Sequence, residues 1–99
     1  MNTLKDYISE YLNYCEYRKQ LNFKTIKAYK IDLNQYNSFC QDISDPFSKK
    51  AVDSYITELF KHYKPKSVKR KIASLKAFFH YLEYTEFLAQ NPFDKLDVH

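Results

Sequence analysis

Residues 65–82 have the sequence PKSVKRKIASLKAFFHYL, and this stretch decides the fold. Its large apolar side chains recur every three or four positions, which is the spacing of one face of an α-helix. Pro65 suits the first position of such a helix, because the N–H that proline lacks would have no partner there. The apolar positions fall within a narrow arc and are Val68, Ile72, Leu75, Phe79 and Leu82. The stretch therefore predicts an amphipathic helix that buries one face.

Three stretches upstream have the same periodicity, and each begins at a residue that can cap a helix. Thr3 begins the first, where Asp6 is placed to complete a capping box. Asn22 begins the second and Ser48 begins the third. The predicted inner faces are Leu4, Ile8, Tyr11 and Cys15 in the first helix, Ile26, Tyr29, Leu33, Tyr36 and Cys40 in the second, and Val52, Tyr55, Ile56, Leu59, Phe60 and Tyr63 in the third.

The composition favours an all-α fold. The chain has 99 residues and no glycine, where average usage predicts about seven. Glycine-rich phosphate loops are therefore excluded, and glycine-dependent hairpin turns are disfavoured. No stretch approaches the roughly 20 apolar residues of a membrane span, and no signal peptide is visible. The sequence predicts a compact four-helix bundle with a short fifth turn around Phe87 and Leu88, a cytoplasmic location, and core thiols at Cys15 and Cys40.

Basic residues are concentrated in two windows, residues 24–30 and 61–82, which hold ten lysines and arginines and no acidic residue. The other 70 positions carry six basic and twelve acidic residues. Both windows cover a predicted helix start, where acidic side chains are locally preferred. A bound polyanion would offset that mismatch, since helix starts also bind phosphate. On the last helix Ala73, Ser74 and Ala77 are small and are expected to face outward, so that this helix could enter a DNA groove.

Two motifs resemble helices two and four of the core-binding domain of tyrosine recombinases. Residues 21–29, LNFKTIKAY, followed by Asp32 and Leu33, are similar to that family's pattern L-S-x-x-T-I-x-x-Y-x-x-D-L. Residues 67–79, SVKRKIASLKAFF, resemble its fourth helix, and Asn91-Pro92 resembles the point where its chain leaves for the catalytic domain. Gln20 and Glu86 stand where the family often has glycine. A left-handed backbone there would cost about 1 kcal/mol without glycine, so these two helix ends are expected to differ from those of the family.

The resemblance implies a SAM-like bundle that forms half of a clamp around double-stranded DNA, with residues 1–92 as the DNA-binding domain. Residues 93–99 would begin a linker to a catalytic domain that this chain lacks. Other recombinase protomers would be partners on DNA, whereas the isolated fragment is expected to be monomeric. Together, the resemblance and the charge windows give these candidate DNA-binding residues: Lys24, Thr25, Lys27, Lys64, Lys66, Ser67, Lys69, Arg70 and Lys71.

No catalytic residue, cofactor or metal site is predicted in this chain. The tyrosines on apolar stripes, Tyr29, Tyr36, Tyr55 and Tyr63, are expected in the core rather than in catalysis. His62, His80 and His99 are scattered, and none is paired with a cysteine or carboxylate at catalytic or metal-binding spacing, so no chemistry is assigned to them. Two alternative functions remain open. One is a helical protein-interaction module with an apolar patch at Phe87, Leu88 and Phe93, and the other is a helix-turn-helix regulator.

Overall fold

The computed structural model describes residues 3–96, which fold into four α-helices and a C-terminal 3₁₀ helix. The α-helices are α1 (Leu4–Tyr17), α2 (Phe23–Phe39), α3 (Lys49–His62) and α4 (Pro65–Tyr84). The 3₁₀ helix spans Pro92–Lys95. The all-α prediction is confirmed, and the radius of gyration of 12.9 Å is close to the roughly 13 Å of a compact chain of this length.

Three of the helices begin where their capping residues predict. The Thr3 hydroxyl accepts a hydrogen bond from the backbone N–H of Asp6, and the Asp6 carboxylate accepts one from the backbone N–H of Thr3. These bonds from Thr3 lower the pKa of Asp6. Asn22 accepts from the N–H of Lys24, and Ser48 accepts from the N–H of Ala51. Local side-chain chemistry thus fixes three helix starts.

One core connects all four α-helices. α1 packs against α2 and α4, and α4 also packs against α2 and α3. Tyr36, Phe78 and Phe79 are the largest side chains that are fully buried. Cys15 and Cys40 are buried free thiols, as predicted, and burial raises the pKa of each. Within residues 3–96 no helix has the combination of length and apolarity that would cross a membrane.

Two predicted core residues of α3 lie at the surface instead. Phe60 and Tyr63 are 48% and 41% exposed. The prediction for Tyr63 was wrong because α3 ends at His62, so the helical periodicity stops before it. The predicted core positions Tyr36 and Tyr55 are buried, whereas Tyr29 is only half-buried.

The predicted short fifth element at the C-terminal end is confirmed. It is the 3₁₀ helix, which begins at Pro92 rather than around Phe87 and Leu88. Phe93 and Leu96 pack against the core, so this part of the predicted linker lies on the bundle. Residues 97–99, including His99, lie outside the described residues.

Both helix ends that lack the family's glycine are left-handed. Gln20 has φ of 51° and Glu86 has φ of 66°. Backbone hydrogen bonds still close both helix ends, since the N–H of Leu21, which follows Gln20, donates to the carbonyl of Cys15, and the N–H of Leu88, two residues after Glu86, donates to that of Leu82. The chain therefore tolerates the strain of two left-handed non-glycine residues rather than extending the helices.

Candidate nucleic-acid interface

A buried carboxylate joins α2 to α4. Asp32 is 2% exposed, and its Oδ2 accepts a hydrogen bond of 2.7 Å from the Ser74 hydroxyl. Its Oδ1 accepts from Arg70 Nη2 at 3.1 Å and from Lys71 Nζ at 3.4 Å. Because a buried charge is costly unless paired and hydrogen-bonded, these contacts with α4 allow Asp32 to sit inside the fold.

Lys71 links this carboxylate to the junction between α3 and α4. Its Nζ donates to Gln35 Oε1 at 2.6 Å and lies 4.9 Å from the centre of the Tyr63 ring. Gln35 Nε2 in turn donates to the Tyr63 hydroxyl at 2.8 Å. The exposed Tyr63 therefore has a structural partner, because its ring covers the ammonium of Lys71.

The two helices run in opposite directions. Near the start of α2, Tyr29 lines a surface cleft with Ala77 from the second half of α4. Further along α2, Gln35 contacts Lys71 from the first half of α4. The starts of α2 and α4 consequently lie at opposite ends of the pair.

An approximate local two-fold axis relates α2 to α4, and it passes through the Asp32–Ser74 contact. Each α2 residue corresponds to the α4 residue 42 positions later, so Lys24 corresponds to Lys66 and Thr25 to Ser67. Since a helix rises about 1.5 Å per residue, Lys24 and Lys66 are about 24 Å apart along the pair. The structure therefore presents two similar basic helix starts at a defined spacing.

The neighbours of Asp32 and Ser74 distinguish the inner side of the pair from its outer side. Leu33 and Leu75, which follow them, are 0% and 1% exposed. Ile31 and Ala73, which precede them, are both exposed. In two antiparallel helices related by a local two-fold, residues at the same number of positions before Asp32 and before Ser74 point to the same side of the pair. The exposed surface of both helices on the side of Ile31 and Ala73 is called here the outer face.

The predicted DNA-binding residues differ in exposure. Thr25 and Ser67 are half-buried, and Lys71 is buried. The exposed ones are Lys24, Lys27, Lys64, Lys66, Lys69 and Arg70. The network described above already uses the ammonium of Lys71, which gives that residue a role inside the fold.

One further expectation about side chains needs correction. Ser74 does not face outward with Ala73 and Ala77 but is 3% exposed and bonded to Asp32. The structure also shows a surface pair on α3, in which His62 Nε2 lies 2.7 Å from Glu58 Oε1. Both pairs were absent from the sequence interpretation.

The two basic helix starts differ in their caps. Asn22 occupies one of the free N–H groups of α2. Lys64, the capping residue of α4, makes no side-chain hydrogen bond to the helix start. Pro65 has no N–H to offer, so the N–H groups of Lys66 and Ser67 remain the polar groups at the start of α4.

The family model for the phage integrase N-terminal SAM-like domain matches residues 8–86 of the chain. This chain belongs to that family. The match includes α2, α3 and α4 and most of α1. The fold, including the α2–α4 pair, is therefore that of an integrase SAM-like domain.

The relatives of this SAM-like domain are named as tyrosine recombinases. A tyrosine recombinase of Agathobacter rectalis is 55% identical over 102 residues, which cover 100% of this chain and 33% of the relative. A tyrosine recombinase XerD of Listeria monocytogenes is 30% identical over 96% of the chain and 34% of its own length. A tyrosine recombinase XerC of Oceanobacillus iheyensis is 31% identical over 99% of the chain and 34% of its own length.

The SAM-like domain spans about a third of the length of the curated relatives it matches. No solved structure gives a significant match to it. Sequence reasoning about the SAM-like domain assigned no role to the Asp32 carboxylate or to Gln35, and it placed Ser74 on the wrong face. One signal for Asp32 was present, because it lies three residues after Tyr29 and four before Tyr36, on the face that turns inward.

Proposed function

We propose that this domain binds double-stranded DNA through the outer face of α2 and α4, as the DNA-binding part of a tyrosine recombinase. The observation that carries the proposal is the charge of this surface. Along residues 23–39 and 65–82 the only acidic residue is Asp32, which is buried against two cations. The exposed lysines and Arg70 therefore give these segments a positive surface with no exposed carboxylate to oppose it.

The spacing of the two basic starts supports a duplex as the ligand. A separation of about 24 Å corresponds to about seven base pairs at 3.4 Å per base pair. The DNA backbone has local two-fold symmetry, so two similar cation groups related by a local two-fold suit phosphates of opposite strands. Lys24 and Lys27 would bind at one end, and Lys66 and Lys69 at the other.

The middle of the outer face suits close approach to a groove. Ala73 and Ala77 carry no bulk beyond the β-carbon, and they separate Arg70 from His80 on α4. A helix with small side chains along one face can lie in the major groove of B-DNA. Phosphate contacts would supply most of the affinity, and contacts from this stretch would supply limited base recognition.

The recombinase role follows from the relatives. Because they bear the name tyrosine recombinase and are about three times as long as this chain, we propose that strand cleavage belongs to the part of those proteins that this domain does not cover. The catalytic tyrosine is then not among the tyrosines of this chain. Other protomers bound to the same DNA are the proposed protein partners.

Two other functions have less support. For a protein-interaction module, Phe87, Leu88 and Phe93 were the expected apolar patch. Phe87 is 40% exposed but packs on Tyr7 with 4.1 Å between ring centres, and Leu88 and Phe93 pack on the core. Family membership favours a recombinase domain over a helix-turn-helix regulator.

The test is a titration of the labelled chain with a short DNA duplex at low salt, followed by amide NMR shifts. We expect shifts along the outer face of α2 and α4. A variant with Lys66→Gln and Lys69→Gln should bind more than about tenfold more weakly. With two phosphate contacts removed, DNA binding releases fewer counterions and so gains less free energy. The matched control is Lys49→Gln with Lys50→Gln, which removes two exposed lysines from the start of α3.

Three results would contradict the proposal. They are an absence of shifts at low salt, shifts confined to positions outside residues 24–30 and 61–82, and an equal loss of DNA affinity in both double variants. Equal weakening would show that only the net charge of the domain matters. A duplex of different sequence should give similar shifts with a modest change in affinity.

A further inference from the structure

Arg70 is held by the protein at one edge and remains open at the other. Its Nη2 donates to Asp32 Oδ1 at 3.1 Å, while its side chain is 55% exposed. A guanidinium has five N–H donors in a fixed planar fork. Within residues 3–96 the structure gives the Arg70 side chain this single hydrogen bond. Most of its donors therefore remain available to a ligand on the outer face.

Lys71 and Arg70 have different roles at the Asp32 carboxylate. The Lys71 side chain is 8% exposed and lies 3.4 Å from Asp32, so its charge is used to neutralise the buried carboxylate. The charges of Asp32 and Lys71 cancel, so the positive charge of Arg70 is not neutralised inside the fold. Asp32 can hold Arg70 in place without cancelling its attraction for an anion.

We propose that Asp32 is a positioning residue for DNA binding, which fixes the Arg70 guanidinium so that its free edge faces a phosphate. The inference rests on the proposed function. Arginine binds phosphate best when two parallel N–H groups point at it, and a side chain that is already ordered loses less conformational entropy on binding. Asp32 acts from inside the fold and does not touch the DNA.

The geometry also explains why an acidic residue lies next to a surface proposed to bind DNA. An exposed carboxylate there would repel phosphates. Asp32 is 1% exposed at its side chain and is covered by donors from α4. Its charge is hidden from the ligand, and only the arginine that it orients reaches the surface.

The experiment tests the effect of Asp32 on Arg70 without changing the net charge of the chain. The variant Asp32→Asn with Lys71→Met removes one negative and one positive buried charge, so the net charge of +4 is unchanged. Its affinity for a short fluorescent duplex is measured at several salt concentrations, with Arg70 present and with Arg70→Ala. The matched control is Asp53→Asn with Lys49→Met, a neutral pair exposed on α3. Circular dichroism checks that each variant is folded.

We expect the Asp32/Lys71 pair variant to bind about fivefold more weakly when Arg70 is present, because a charge-assisted contact is then no longer preorganised. In the Arg70→Ala background the same pair of changes should alter affinity by less than about twofold. Arg70→Lys retains the charge without the fork and should bind about as weakly as the pair variant. This exposed substitution also tests the inference if the pair variant does not fold.

The outcomes separate the inference from the proposed function. An equal loss in both backgrounds, or an Arg70→Lys variant that binds as tightly as the unchanged chain, would overturn the positioning role while DNA binding stands. A chain that does not bind DNA at low salt would overturn the proposed function and this inference together.

Discussion

Asp32 on α2 and Ser74 on α4 are 42 residues apart in the chain, and 2.7 Å separates their side-chain oxygens. Both are buried. This hydrogen bond joins α2 to α4, the two helices that carry most of the predicted DNA-binding residues. It also lies at the centre of the relation that pairs Lys24 with Lys66.

Ser74→Ala should destabilise the fold, because the buried Asp32 carboxylate loses one of its donors. A hydrogen bond to a charged group contributes about 1.5–3 kcal/mol, so we expect a loss of about 2 kcal/mol in the free energy of unfolding by urea. Ser54→Ala on the exposed side of α3 is the control and should change it by less than about 0.5 kcal/mol. Equal effects of the two substitutions would show that the Asp32–Ser74 bond contributes no stability.

Gln20→Gly and Glu86→Gly should each stabilise the domain. Both positions have positive φ, and a left-handed residue with a β-carbon costs about 1 kcal/mol. Glycine removes that cost at its own position, so each melting temperature should rise. Glu16→Gly inside α1 is the opposite control, where glycine should cost about 1 kcal/mol. A fall in stability for Gln20→Gly or Glu86→Gly would contradict the strain argument.

Tyr55→Phe and Tyr36→Phe should have opposite effects. The Tyr55 hydroxyl is buried without a hydrogen-bond partner among the described residues. Its removal should leave stability unchanged or raise it by about 1 kcal/mol. The Tyr36 hydroxyl donates to the carbonyl of Pro46 at 2.5 Å, and its loss should cost about 1 kcal/mol. Chemical unfolding of both variants compares them directly, and destabilisation by Tyr55→Phe would point to a partner for that hydroxyl.

Lys69→Met and Lys71→Met should separate DNA binding from folding. Lys69 is exposed, so its loss should reduce the slope of log affinity against log salt by about one unit and leave stability unchanged. Lys71 is buried against Asp32, so its loss should lower stability by about 2 kcal/mol. The two neighbours are measured by urea unfolding and by DNA titration at several salt concentrations. The assignment fails if Lys69→Met is the more destabilising of the two.

Stability should fall at alkaline pH. Burial, with the Glu10 carboxylate accepting from the hydroxyl, raises the pKa of Tyr81 to about 12. Burial also raises the pKa of Tyr11, Tyr36 and Tyr55. Because the folded state holds these protons more tightly, the stabilisation is complete below the unfolded tyrosine pKa of about 10. It is lost as the pH rises through the folded values.

Urea unfolding at increasing pH, with tyrosinate absorbance recorded in parallel, measures this loss. Tyr81→Phe should make the fall shallower between pH values of about 10 and 12. Tyr17→Phe removes a tyrosine that is 70% exposed and should leave the profile unchanged. A profile that is flat up to pH of about 12 would contradict the assignment.

Local patterns in the sequence predict the helices and most of the core. Capping side chains act within three residues, and apolar stripes repeat within one helix, so Thr3, Asn22, Ser48 and Pro65 predict where helices begin. The same local chemistry predicts burial for Leu33 and Leu75. The resemblance to a known family marked the helix ends at Gln20 and Glu86, but the expected departure there is wrong, because both residues adopt the left-handed backbone without glycine.

Packing between distant parts of the chain sets which charged residues face solvent, and no local pattern predicts it. Arg70 and Lys71 are neighbours with the same formal charge, yet one is exposed and the other is buried. Their common partner Asp32 lies 38 and 39 residues away along the chain, beyond the reach of any helical period. The packing of α2 against α4 sets that contact, and with it the distinction between a cation that holds the fold and one that is free to bind.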